Sequence, residues 1–444
     1  MAKKHSTSEK KPANRPGLRA ISVAGYKSLV AKQRIEIRPL TILAGANSGG
    51  KSSIMQPVLL LKQTLEAPYD PGSLLLDGPN VRLTSADQLL SKKSKPKTEK
   101  EFSIEFEMGV KKVELRFYQV PSKGIDILNN TIFDGKTETV ISLEMDLTAI
   151  KKGSIGGWPL DFFSMGMGEI KIERDRSFLV VMFLMKDNIR RIPLLHPGEI
   201  LAPMIGGLIH VPGLRGNPER NYKTTAVGKT FPGTFENYVA SVINHWQSTE
   251  DERLSTLGAH LESLGLTWKV QAKKRDETQV ELKVGRLPHS QPGGAQDLVS
   301  IADVGFGVSQ TLPVLVALLA AEPGQLVYIE QPEIHLHPRA QRALATVFAA
   351  AAKRGVLVIV ETHSALFLRG IQTLVAQDEL SPELIKLHWF QRDATGATTV
   401  TSADLDHTGA FGDWPEDFDE VELTAENEYL SAAEEKLFGK NDPS

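Results

Sequence analysis

The chain has 444 residues, enough for two or three domains with cores of their own. Its 51 basic and 54 acidic residues give a formal net charge of −3, which excludes a generic polyanion binder, and 41% hydrophobic with 24% charged residues is a globular composition. The absence of cysteine excludes disulfides, thiol catalysis and cysteine-ligated zinc.

In chain order, residues 1–17 carry Lys3, Lys4, Lys10, Lys11 and Arg15 against Glu9 and read as a disordered basic leader. No apolar stretch follows those lysines, so no signal peptide is expected. The longest apolar runs, Phe178–Met185 and Leu312–Ala321, are far too short for a membrane span, and a cytoplasmic location is the expectation. Leu18–Val23 and Arg34–Ile37 alternate as strands do, and Leu40–Ala44 is an apolar run leading into a glycine loop. A helical pattern covers Ser52 to Leu65. Lys92, Lys93, Lys95, Lys97 and Lys100, with Pro96 among them, then predict an exposed loop.

Strands are predicted over Phe102–Met108, Val113–Val120, Val140–Leu147, Ile170–Glu173 and Phe178–Met185. Phe235–Trp246 and Glu252–Leu264 read as helices, and Trp268–Gln271 with Gln279–Val284 as a strand pair. Gly285–Gln296 is a Pro/Gly/Ser loop and marks a boundary. A helix over Val308–Ala321, a strand over Leu326–Ile329, a helix over Arg339–Lys353 and a strand over Val356–Val360 follow. Between Asp404 and Asp442 thirteen acidic residues face only Lys436 and Lys440, which reads as a solvated tail. The expected division is 1–17 leader, 18–95 N-terminal lobe, 96–190 β-rich insertion, 191–296 mixed region, 297–400 C-terminal lobe and 401–444 acidic segment. The fold class is α/β, its core interrupted by a long β-rich and helical insertion.

Gly45-Ala46-Asn47-Ser48-Gly49-Gly50-Lys51-Ser52 fits G-x-x-x-x-G-K-[ST] between a strand and a helix. Glycines there let backbone N–H groups turn toward phosphates, and the helix start adds a favourable dipole. Gly45, Asn47, Gly50, Lys51, Ser52 and Ser53 are therefore expected to hold ATP, with Lys51 on the β/γ oxygens, Ser53 near the α-phosphate and Ser52 on Mg²⁺. Leu326–Ile329 ends in Glu330, and the carboxyl ends of parallel strands are where ligands bind, so Glu330 is a second Mg²⁺ residue. The second buried strand ends in Glu361-Thr362-His363-Ser364, which places His363 toward the γ-phosphate or the attacking water. His335 and His337 alternate as a metal pair would, but without a third ligand they read as turn residues.

Asp303-Val304-Gly305-Phe306-Gly307-Val308-Ser309-Gln310, before an apolar helix, is a second anion-binding helix start. Together with Gly25-Tyr26-Lys27-Ser28, the P-loop, Glu330-Gln331-Pro332-Glu333-Ile334-His335-Leu336-His337-Pro338, Glu361-Thr362-His363-Ser364 and Asp413-Trp414-Pro415-Glu416-Asp417-Phe418, the set resembles ABC-type ATPases of the OLD, RecF and SMC-like class. It is similar in wording to bacterial AAA-labelled ATPases with a C-terminal segment of unknown function. The resemblance runs from about Leu18 to Phe418, weakly through the middle. It implies an ABC-type P-loop core in which Gly307, Ser309 and Gln310 touch the ATP of a partner copy, making ATP the glue of a homodimer or higher oligomer. It also implies a role in anti-phage defence beside a separate effector protein, a nuclease or toxin.

Two positions depart from the pattern. Gln331 stands where most ABC ATPases carry the catalytic Glu, and an amide cannot accept a proton as a carboxylate can. Either Glu333 or Glu361 takes that role, or hydrolysis is slow and ATP binding is the signal. Ala365 follows Ser364 where relatives carry an acid. For the glutamine that would contact the metal, Gln88 is expected over Gln56. The 80 residues after Ser364 leave no room for a nuclease domain. Three readings remain: an oligomerising ATPase that holds an effector, a RecF-like DNA-repair clamp, and an ATP-bound scaffold with negligible turnover. The DNA reading rests on the 92–100 lysines and on Arg215 and Arg220.

Overall fold

The computed structural model describes residues 17–92, 100–121, 124–145, 154–155, 158–159, 168–185, 191–289 and 297–412. The basic leader, most of the lysine-rich loop, most of the Pro/Gly/Ser boundary and the acidic segment from Asp413 onward lie outside the described residues.

The chain begins with β1 (Leu18–Ala24), β2 (Gln33–Glu36), β3 (Leu40–Gly45) and helix α1 (Lys51–Glu66). Strands β4 (Glu101–Met108), β5 (Lys111–Val120), β6 (Gly124–Phe133) and β7 (Glu138–Ile141) follow, then the short pair β8 (Ser154–Ile155) and β9 (Trp158–Pro159). Next come β10 (Gly168–Asp175), β11 (Phe178–Met185), β12 (Arg191–Leu195), α2 (Pro197–Gly206), β13 (Ile209–Val211) and β14 (Tyr222–Lys223). Helices α3 (Val239–Ser248) and α4 (Glu252–Ser263) precede β15 (Val270–Lys274), β16 (Gln279–Gly285) and β17 (Leu298–Ser300). The last part holds α5 (Phe306–Ala320), β18 (Leu326–Glu330), α6 (Pro338–Lys353), β19 (Leu357–Glu361), α7 (Ala365–Ala376), β20 (Ile385–Arg392) and β21 (Thr398–Ala403).

The central sheet has the order β13–β18–β19–β3–β20–β21, parallel throughout except for β21. A parallel sheet is covered on both faces, so its strands are apolar at successive positions rather than alternately. Ile42, Ile329 and Val360 enter one core with Trp246 of α3, Leu257 of α4, Leu315 of α5 and Phe348 of α6. Leu43, Tyr328 and Ile359 enter the opposite core with Ile54, Met55 and Val58 of α1. That second core is closed by an antiparallel sheet of order β2–β1–β4–β5–β6–β7. Phe102, Ile104 and Phe106 point inward there while Ser103, Glu105 and Glu107 alternate with them, as a half-buried sheet requires. Strands 101–141 are thus built onto β1 and β2 in one sheet.

Several expectations are adjusted. The strand expected over Val140–Leu147 ends at Ile141 and turns at Leu143–Glu144, with 146 onward outside the described residues. The helix expected over Phe235–Trp246 starts with a tighter turn, Phe235–Tyr238. Strand β6 was hidden by interior polar residues. One of them, Asn130, is fully buried and accepts the Leu179 N–H at 2.6 Å, which satisfies a group that would otherwise argue against a core strand. No helix among the described residues is long and apolar enough to cross a membrane.

Candidate nucleotide-binding site

Strand β3 ends at Gly45, and the next five residues curl into α1 through two left-handed positions, Ser48 (φ 63°) and Gly50 (φ 99°). Only glycine fits at 50. A Cβ there would lie 2.4 Å from Thr398 Oγ1 and 2.7 Å from Ser28 Oγ. The Gly25–Ser28 segment is therefore the brace of the loop: Thr398 N donates to Ser28 O at 2.7 Å, and Thr398 Oγ1 donates to Gly49 O at 2.8 Å. Lys51 is buried, and its Nζ donates to Gly45 O (3.0 Å) and Ala46 O (2.9 Å). Burial draws its pKa down, opposed by the charges of Glu361 and Glu333. Asn47 stands exposed at the crown of the loop and Ser53 is buried beneath it.

The parallel register sets Glu330, the last residue of β18, beside Glu361, the last of β19. Ser52 Oγ donates to Glu361 Oε1 at 3.0 Å, so the serine expected to share a metal with Glu330 is held by the neighbouring carboxylate instead. Tyr328 Oη donates to Glu361 Oε2 at 3.0 Å, and both Glu361 oxygens are engaged. Burial, then the charge of Glu330, raises the Glu361 pKa. For Glu330 burial pulls the same way, but His210, the Gly213 N–H (3.1 Å to Oε2) and Tyr328 outweigh it and hold its carboxyl below the usual range. Ser52 at the start of α1 and Glu330 at the end of β18 are hard oxygen donors that fit Mg²⁺, an ion that takes one or two carboxylates and completes its shell with water and phosphate, with Glu361 holding the Ser52 hydroxyl from the next strand end. Among the described residues no group of three or more His, Cys, Asp or Glu is arranged to hold a metal.

His210 was not foreseen. It lies on β13, fully buried, its ring stacked on Tyr328 with centroids 5.5 Å apart and planes at 10°. Asn80 Nδ2 lies 3.0 Å from His210 Nδ1, and His210 Nε2 lies 3.2 Å from Glu330 Oε1. An amide N–H on Nδ1 leaves the ring proton on Nε2, where it donates to the carboxylate. The only signal in the sequence is the short apolar run Leu208–Val211, too brief to separate from a loop.

Beyond Glu330, Gln331 takes φ 43° and its N–H donates to Glu361 O at 2.7 Å. Glu333 is buried, accepts the His363 N–H on Oε1 at 2.7 Å and leaves Oε2 without a partner. Burial raises its pKa. His363 is drawn down to about 4, chiefly by burial and then by Lys51, against a hydrogen bond to the Gly45 backbone, so the ring is neutral at pH 7. His335 (φ 68°) packs on Phe306, and His337 caps α6 by accepting the Arg339 N–H; both serve the turn. Ser364 caps α7 by accepting the Phe367 N–H at 3.0 Å.

The 305–310 segment starts α5. Ser309 Oγ, partly exposed, donates to Phe306 O at 3.2 Å, and Phe306 itself is 50% exposed. Among the described residues no hydrogen bond joins 305–310 to 45–53. Gln310 is buried, and its side chain donates to Arg215 O (3.3 Å) and Gly216 O (3.1 Å) rather than pointing outward as Ser309 does. Arg215 is not the surface cation expected: it is buried, and donates to the carbonyls of Gln310 (3.1 Å) and Glu330 (2.7 Å). Desolvation draws its pKa down to about 10. Arg220 forms an ion pair with Asp303 at 2.6 Å. Gln88 is exposed and closes on Thr84 (3.0 Å), while Gln56 accepts from Lys27 (2.6 Å) and Tyr26 (3.2 Å).

Residues 211–369 match an AAA-type ATPase domain. The matching family is described as "AAA domain, putative AbiEii toxin, Type IV TA system". The match spans the strand end at Glu330, the 305–310 segment and His363, and begins after the P-loop. No curated protein matches the chain. Among solved structures, the chain is similar to an SMC head bound to the C-winged helix domain of ScpA, at 13% identity and a TM-score of 0.47, covering 88% of this chain and 98% of that one. It is also similar to the SMC head domain from Thermotoga maritima, at 10% identity and a TM-score of 0.39, covering 87% and 98%.

Proposed function

We propose that the chain is an ABC-type ATPase that binds ATP with Mg²⁺ and hydrolyses it slowly. ATP dimerises the chain or drives higher oligomers, and the assembly regulates a separate effector protein in anti-phage defence. The observation that carries the ATPase reading is one cluster: Lys51, Ser52, Glu330, Glu361 and His363 all stand at the carboxyl ends of three adjacent parallel strands or in the loop and helix start that follow them. The metal would supply charge neutralisation at the transferring phosphoryl group. Lys51 would neutralise phosphate oxygens, Ser52 and Glu330 would hold the ion while Glu361 orients the Ser52 hydroxyl, and neutral His363 would align the terminal phosphate. Gln331 is no base. Glu333 is, because it keeps an oxygen free and burial makes its carboxylate more basic; Glu361 has both oxygens occupied.

The outward Ser309 and Phe306 support assembly through a second copy, whose ATP Gly307 and Ser309 would meet. Gln310 serves this role from behind, fixing the segment to Arg215. The segment division 18–95, 96–190, 191–296, 297–400 and 401–444 is part of the proposal. The RecF-like reading loses Arg215, which is buried, and finds Arg220 already paired.

Steady-state ATP turnover of the purified chain, alone and with duplex DNA, beside Lys51→Ala, tests this reading. Slow, Lys51-dependent turnover indifferent to DNA is expected. Stimulation by DNA would install the clamp reading, and turnover that survives Lys51→Ala would remove the proposed site.

A further inference from the structure

Glu330 ends β18 with a carboxylate whose two oxygens are each held by one group from β13 or the loop that leaves it. His210 Nε2 lies 3.2 Å from Oε1, and the Gly213 N–H donates to Oε2 at 3.1 Å. An ionised carboxylate offers about four lone pairs, so each oxygen keeps one for a further partner. The Glu330 side chain is 25% exposed, against 1% for His210. The two contacts therefore fix the carboxylate and leave part of it open.

The histidine is oriented in its turn. Its ring stacks on Tyr328, its register partner on β18, which keeps it from tilting. Asn80 settles which ring nitrogen carries the proton. Its Nδ2 lies 3.0 Å from His210 Nδ1 and also donates to Gly233 O at 3.1 Å. A carbonyl only accepts, so the atom facing both groups is the amide nitrogen. His210 Nδ1 is then an acceptor, and the ring N–H sits on Nε2, aimed at Glu330. The Asn80 oxygen is buried without a partner, so the amide is turned by what its nitrogen reaches. Asn80 is itself tied to the P-loop helix. Gln63 Oε1, on α1, accepts the backbone N–H groups of Asn80 (3.2 Å) and Val81 (2.9 Å). One line of contacts thus runs from α1 through Asn80 and His210 to Glu330.

We propose that His210 is a positioning residue of the nucleotide site: its Nε2–H holds the Glu330 carboxylate in the orientation that offers its open lone pairs to Mg²⁺, and Asn80 keeps the proton on that nitrogen. The inference rests on the ATPase reading. Hydrogen-bond partners of metal-binding groups matter by roughly 10–100-fold in metal affinity, and that is the scale expected of His210.

The test is calorimetric titration of the full chain with a non-hydrolysable β,γ-imido analogue of ATP, once with Mg²⁺ and once with EDTA. His210→Phe keeps a ring against Tyr328 and removes both nitrogens. It should weaken binding with Mg²⁺ roughly tenfold or more and leave binding in EDTA as in the wild type. His210→Gln, whose amide can donate to Glu330 and accept from Asn80, should recover part of the lost affinity. If His210→Phe does not melt cooperatively, Asn80→Ala decides: it should weaken binding with Mg²⁺ selectively, by a smaller factor. Equal weakening with Mg²⁺ and with EDTA, or no weakening in either, overturns the proposal, because a merely structural histidine would behave so. In that case the ATPase reading stands. A wild-type chain that binds the analogue in neither condition overturns the ATPase reading, and the inference with it.

Discussion

Ser52 Oγ donates to Glu361 Oε1 at 3.0 Å, joining residues 309 positions apart at the mouth of the P-loop. The bond fixes the rotamer of a hydroxyl that, in the proposed site, would present a lone pair to Mg²⁺, and Tyr328 fixes the carboxylate in turn. Partners of metal-binding groups at this remove typically matter 10–100-fold, so Glu361→Gln is expected to raise the Mg²⁺ concentration for half-maximal turnover by roughly tenfold or more. Glu361→Gln keeps the shape and leaves the fold intact. An unchanged Mg²⁺ dependence would show that Glu361 serves only the strand end.

Gly50→Ala probes the brace rather than the chemistry. The new Cβ would strike Thr398 Oγ1 and Ser28 Oγ at a left-handed φ. Strain of this kind costs on the order of 1–3 kcal/mol, so the melting temperature should fall by several degrees and ATP affinity with it. Thr398→Ala in the same background should recover part of the melting temperature, because it removes one of the two clashing atoms; no recovery would place the strain elsewhere.

How much of this was legible beforehand follows from where the information sits. The P-loop, Glu330 and His363 are local signals, each a short motif beside an apolar strand, and the structure brings them to the carboxyl ends of neighbouring strands. His210 and Asn80 carry no such signal. They matter because β13 pairs with β18, a contact between residues 209 and 327 that no periodicity announces. Gln310 and Arg215 read as outward polar groups, since sequence cannot tell a cation that seeks phosphate from one that satisfies backbone carbonyls inside a loop. Strands β20 and β21 went unpredicted for a similar reason. Buried Lys386 and His388 look like surface residues until Asp404, Ser402 and the Glu36 carbonyl complete them.

His388 gives a pH prediction away from the nucleotide. It is fully buried, and desolvation draws its pKa from 6.5 to about 4 despite the Glu36 carbonyl. The unfolded chain therefore takes up a proton below pH 6.5 that the folded chain refuses until about pH 4. The stability contribution is complete above pH 6.5 and is lost as pH falls through this window, on the order of 3 kcal/mol in all. Half-buried His363, drawn down to about 4 as well, adds in the same direction. Denaturant melts at pH 7.5 and pH 5 should differ accordingly, and His388→Gln should flatten the difference while lowering stability at pH 7.5. A difference that persists unchanged in His388→Gln would assign it to other groups.

The assembly proposal stands or falls on Ser309. Its hydroxyl is partly exposed, bonds only within its own turn, and precedes a glutamine locked inside the protein by Arg215. Ser309→Arg places a long cation on that outer face without disturbing Gln310, so the monomer should keep its melting temperature and its ATP affinity. ATP-dependent association, followed by sedimentation velocity with and without nucleotide, should vanish in Ser309→Arg and also in Lys51→Ala. The two losses have different origins: Lys51→Ala should no longer bind nucleotide, whereas Ser309→Arg should bind it and stay monomeric. A dimer that forms without ATP and survives the Ser309 change would require an interface elsewhere, and the outward face of α5 would then have no part in coupling nucleotide to assembly.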